Sequence, residues 1–120
     1  MIEEIVREHL IDEIELPAYL EEPEKPPRKY MLIEKVGSSD GCTKSRAAHR
    51  IGGAMILVKS ISADSLVQAA LLNEQVKQSM WRLVEHDSVT KVVCNSDLNN
   101  TDPETHRYRY QALFDIKYYI

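Results

Sequence analysis

Two cysteines, four glycines, one tryptophan and one phenylalanine are all that this sequence of 120 residues carries of those types, and each scarcity removes a possibility. Cys42 and Cys94 stand far apart without CxxC spacing. That leaves no disulfide framework, and free thiols in a reducing cytoplasm are the expectation. The few glycines provide no phosphate cradle, because Ser38-Ser39 beside Gly37 lacks both a Gly-rich fingerprint and a following Lys-Ser pair. No apolar stretch approaches the roughly 20 residues of a bilayer span; the longest is Ala54-Met55-Ile56-Leu57-Val58. Positive charge is in the minority, at a net -4, which argues against a broad nucleic-acid surface. Glu3, Glu4 and Glu8 occupy the place where a secretory signal is first basic and then apolar, so no signal is expected there.

What is present is periodicity. From Tyr108 onward the sequence alternates, with Tyr108, Tyr110, Ala112, Phe114, Ile116, Tyr118 and Ile120 on one side. Arg107, Arg109, Gln111, Asp115 and Lys117 fall on the other, with Leu113 and Tyr119 as apolar exceptions. A period of two predicts a strand with one core face and one wet face. Ile2, Val6, Leu10 and Ile14, flanked by Ile5, form a helical stripe that Pro17 stops. Ala18-Tyr19-Leu20 suits a short strand. Residues 21–27, with three prolines and mixed charge, read as an exposed, mobile connection with nothing to dock it. Residues 29–36 alternate again, 37–41 form a turn, and 44–60 read as one long strand bent at Gly52-Gly53. Ser62 and Asp64 offer caps for a second helix over 63–86, with Leu66, Ala69, Ala70, Val76, Met80, Leu83 and Val84 inward and Asn73 interrupting the stripe. Strands over 89–95 and 105–119 close the chain. The expected architecture is a single α+β domain over 1–120: helix, strands, helix, strands, with both helices on one face of a mostly antiparallel sheet. Tyr108, Tyr110, Phe114 and Ile116 should anchor the core against Val76, Met80 and Leu83.

Reactive side chains are sparse. Asp97, Asp102, Glu104 and His106, with His86 and Asp87 nearby in sequence, contain the ligand types of a divalent metal site. Their spacing matches no metal signature, and Asn, Asp, Thr and Pro in a connection are what a turn requires. Cys94 with His86 or His106 as base would be a nucleophile, yet on the alternating Val92-Val93-Cys94 strand a small packing thiol is the simpler reading. His9 flanks the first core stripe. Lys44, Arg46, His49 and Arg50 are the main basic cluster, followed by Arg28-Lys29. A strand would set Lys44, Arg46 and Arg50 on one face, suited to contact with a neighbouring subunit or partner.

Two groups of residues carry a resemblance. Tyr19-Leu20-Glu21-Glu22-Pro23, Tyr30, Leu32-Ile33-Glu34-Lys35 and Gly37-Ser38-Ser39 resemble the front half of a small tail-completion protein. Asn95-Ser96-Asp97, Asn99, Thr101, Arg107-Tyr108-Arg109-Tyr110-Gln111-Ala112 and Asp115-Ile116 look like its closing half. Such proteins come from long-tailed phages and prophages of Gram-positive bacteria and are similar to tail terminator and tail-to-head joining proteins. The resemblance implies an α/β subunit that forms a ring, usually a hexamer, at the top of the tail tube. That ring halts tube growth and meets the head connector or stopper, with DNA only as cargo through the lumen. It further implies a virion protein that waits in the host cytoplasm before assembly, without catalysis, cofactor, metal or membrane. The long 44–60 strand is the expected open edge at which subunits meet. The alternatives are a small metal-dependent nuclease using the Asp97–His106 loop and a nucleic-acid-binding module using Lys44, Arg46 and Arg50.

Overall fold

The computed structural model describes residues 2–38, 51–101 and 107–119. Helix α1 spans Ile2–Ile14, β1 Ala18–Tyr19, β2 Lys29–Ser38 and β3 Ile51–Ser62. Helix α2 spans Leu66–Trp81 and runs into a 3-10 turn over Arg82–Glu85, before β4 at Val89–Asn99 and β5 at Tyr108–Tyr119. The expected α+β order of helix, strands, helix, strands is what the protein adopts. The five strands lie in the order β1-β2-β3-β5-β4. Only the two-residue β1 runs parallel to its neighbour; the β2–β3, β3–β5 and β4–β5 pairs are antiparallel.

Register explains the core. Ile33 lies across from Val58, Val58 from Ala112, Ile56 from Phe114 and Phe114 from Cys94, so one face of the sheet is apolar across four strands. Ile2, Val6 and Leu10 of α1 and Leu72, Val76 and Met80 of α2 close over that face in a single cluster. Burying each such side chain is worth about 1.5 to 3 kcal/mol, and this layer holds the fold together. Helix α1 ends where expected: Glu15 takes a left-handed backbone (φ 62°) and donates its N–H to Ile11 O at 2.9 Å, just before Pro17.

Several expectations need correction. Helix α2 starts at Leu66 with Ser65 as its cap, the Ser65 hydroxyl accepting from Gln68 N at 3.1 Å. Ser62 caps nothing in α2; its hydroxyl accepts from Asp64 N at 3.1 Å in the connection before it. The buried stripe of α2 includes Leu72, Asn73 and Ser79, whereas Leu66 and Val84 are exposed. Strand β3 passes through Gly52 and Gly53 in regular pairing with Tyr118 and Lys117. The irregularity falls instead at Val36 of β2, between Lys35 and Gly37. Phe114 and Ile116 are buried as expected, but Tyr110 is only half-buried and Tyr108 is 36% exposed. The first buried residue of α2 is Ala69, so the sheet end that holds Tyr108 extends past the helical cover.

Candidate functional site

The strand expected to carry an open edge is the central one. Strand β3 is paired to β5 from Ile51 to Ser62 on one side and to β2 from Ala54 to Ser62 on the other. Among the described residues the edges are β1 with the unpaired part of β2, and β4. Lys44, Arg46 and Arg50, the expected subunit contacts, lie outside the described residues, as do His49, Asp102, Glu104 and His106.

The first edge is folded over. Strand β1 covers β2 only at Met31 and Leu32. Above it, on the outer face of the sheet, Tyr30, Leu32 and Ile61 form a second small cluster with Tyr19. The Tyr19 and Tyr30 rings meet edge to face at 5.8 Å, a favourable arrangement of their quadrupoles. Tyr30 donates its hydroxyl hydrogen to Glu22. Arg107 stacks over the Tyr30 ring at 5.8 Å from its centroid and donates to Pro27 O at 3.2 Å. Burial, reinforced by the Glu22 carboxylate, pushes the Tyr30 hydroxyl up to about 12. Residues 21–27 are therefore docked at both ends, contrary to the expectation that nothing holds them; their charged side chains stay exposed while Pro23, Pro26 and Pro27 are half-buried. Arg28 closes the segment on Asp64, with Nε at 2.9 Å from the carboxylate.

The second edge has no covering strand among the described residues. Strand β4 runs for 11 residues and pairs only with β5 among the described residues. Its first half is anchored by Val89 and Val92, whereas Asn95 through Asn99 are exposed. Along the strand Val93 and Leu98 expose 36% and 46% of their surface. One bracket ties this half to the body: Lys77 of α2 donates to Asp97 and lies 2.7 Å from Glu74. Hydrogen bonding to both carboxylates raises the Lys77 pKa. Beyond the strand, Asn99 Oδ1 accepts from Thr101 N at 2.9 Å and from Thr101 Oγ1 at 2.6 Å.

Of the residues weighed for catalysis, those within the described residues do not converge. His86 precedes Val89 at one end of β4 and Asp97 lies eight residues along, a separation of roughly 25 Å at strand rise. Asp97 is engaged by Lys77. Among the described residues no group of three or more His, Cys, Asp or Glu side chains is placed to hold a metal ion. Burial, with Asp97 nearby, raises the Cys94 pKa, the opposite of what a thiolate nucleophile needs. His9 sits between the helices as expected of a flank, with Nε2 2.7 Å from Ser79 O. No helix of the described residues is long and apolar enough to cross a membrane.

No protein-family model and no curated protein matches the sequence. The fold, however, has a solved counterpart. A chain of the structure described as "Virion of native gene transfer agent (GTA) particle" superposes with a TM-score of 0.71, covering 96% of this protein and 92% of that chain at 12% identity. At that identity the likeness is one of fold.

The edge residues Val93, Leu98, Asn99 and Lys35 did not stand out in the sequence as a site. One signal for them was the polar tail Asn95–Asn100, which continues an alternating strand beyond its apolar part. The other was the run Ala54–Val58, apolar at every position, which marks a strand buried on both faces and hence one without an open edge.

Proposed function

We propose that this protein is a structural virion component that closes the tail tube as a ring, six-membered in the family it resembles, and joins the tail to the head. The observation that carries this reading is the fold shared over nearly its whole length with a chain of a virion. The closing-strand motif from Asn95 to Ile116 supports the narrower tail-completion role. Two physical features favour assembly over catalysis. Among the described residues a long strand edge with exposed Val93 and Leu98 is left unpaired, which in a lone subunit invites uncontrolled pairing and in a ring supplies the joint. Asp97, the described acidic residue of the nuclease alternative, is tied to a lysine.

On this reading the partners are further copies of the same chain, the tail tube protein and the head connector or stopper. DNA passes through the lumen as cargo, past subunits whose net charge of -4 discourages sticking. Native mass measurement at rising concentration should show a closed oligomer, and loss of the gene should give overlong or unjoined tails beside normally filled heads. A chain that stays monomeric at every concentration, or complete infectious particles from the knockout, would overturn the ring. A purified metal-dependent nuclease activity lost in Asp97→Ala would establish the enzyme in its place.

A further inference from the structure

We propose, resting on the ring reading above, that β4 of one subunit adds as an antiparallel strand to the open part of β2 of the next, so that one sheet continues from copy to copy. Strand polarity supplies the first argument. The strands β2, β3, β5 and β4 alternate in direction across the sheet, so β4 runs opposite to β2. A copy set alongside in the same orientation, as ring symmetry requires, therefore brings its β2 antiparallel to the bare edge of β4. That is the better-paired ladder of the two kinds. The two edges are also different surfaces, and a contact between unlike surfaces propagates head to tail until it closes.

Length and chemistry set the register. Strand β1 blocks β2 at Met31 and Leu32, and beyond them residues 33–38 have no partner on that side among the described residues. An incoming β4 whose last residue, Asn99, abuts this block at Ile33 places Asp97 opposite Lys35. Both side chains belong to the helix-covered face, since Asp97 is across from Ala112 and Lys35 from Ile56. Lys35 is exposed and has no ion pair among the described residues, so an aspartate arriving there gives it one. Glu3, Leu20, Ile33, Glu34 and Lys35 line a recess beside this same stretch. Glu3, one of these lining residues, has its Oε1 buried with no hydrogen-bond partner among the described residues. Asn99 suits that acceptor: Thr101 occupies its carboxamide oxygen, which leaves the NH2 group to donate to the carboxylate. A carboxylate opposite a lysine and an amide opposite a carboxylate, two residues apart, make the two edges complementary.

The test uses the full chain carrying Cys42→Ser and Cys94→Ser, so that introduced thiols are the only ones. One version adds Leu98→Cys on β4 and a second adds Glu34→Cys on β2, positions that face each other in this register. Mixed and oxidised, the two should give a crosslinked dimer between unlike versions, with little product from either version alone. In parallel, Asp97→Lys and Lys35→Asp should each weaken assembly roughly tenfold or more, because like charges then meet in the ladder. The double variant should recover it, and circular dichroism verifies that every version folds. Crosslinking of the Leu98→Cys version to itself alone would mean β4-to-β4 pairing and overturn the proposal. Closed rings with no mixed crosslink and no charge-reversal effect would overturn edge pairing and leave the ring standing. A parent chain that never leaves the monomer would overturn both.

Discussion

At one side of the sheet, β1 contributes two residues and the proline-rich segment after it folds across the outer face, sealing Tyr30 beneath Glu22, Pro27 and Arg107. At the other side, β4 carries 11 residues with no strand beyond them among the described residues, and its second half is held by its pairing with β5 and by the Lys77 bracket. A sheet edge is a row of unmet hydrogen-bonding groups, and proteins that work alone shorten, cover or charge it. This protein covers one edge in part with its own chain and leaves the other available. The difference sets two parts of the molecule apart: the two-helix layer and the sealed flank hold the fold together, whereas the β4 edge meets no further strand among the described residues.

Removing what both flanks share should break the comparison most severely. Phe114 is buried under the sheet between them and packs in the main cluster, so Phe114→Ala is expected to cost about 3 to 5 kcal/mol in urea unfolding. A loss below about 1 kcal/mol would mean that the helix-covered layer is not what holds the two sides together.

A smaller effect should separate the sealed side from the bare one. Tyr30→Phe removes the hydroxyl that binds Glu22 and should cost about 1 to 2 kcal/mol. The pH dependence has a definite sign. The folded-state value is raised to about 12 from an ordinary tyrosine value near 10, so this group's contribution is fully present below about pH 10 and is lost as pH rises towards 12. Alkaline unfolding curves should show that loss in the parent and a shallower one in Tyr30→Phe. Identical curves would place the Tyr30 hydroxyl in water.

The smallest change sharpens the contrast from the other side. Lys77→Met cuts the bracket between α2 and β4, yet the global cost should stay below about 1 kcal/mol, as for surface ion pairs generally. Amide exchange at Asn95–Asn99 should nevertheless accelerate, with the amides of residues 30–33 unchanged. Acceleration at both places would show that the two edges are not independent.

Much of this was legible from residue order. The stripe Ile2, Val6, Leu10 announced α1, and the alternation around Phe114 announced β5, because each pattern is local and repeats with the period of its element. Boundaries were less legible where polar residues had competing uses. Ser62 and Asp64 were the caps the residue order suggested, whereas the geometry selects Ser65. Tyr108 and Phe114 read alike on one alternating strand, but they differ in burial because helical cover reaches one and not the other.

The sequence alone determined that two helices and several strands would form, and that the strands would bury one face. Those outcomes depend on spacing between residues a few places apart. The tertiary structure decided which strand lies beside which. Strand β5 inserts between β3 and β4, which turns the expected edge strand into the central one and, among the described residues, leaves β4 at the edge. Alternation is the same for a central strand and an edge strand; which one a strand becomes depends on partners far away in the chain, and only packing selects them.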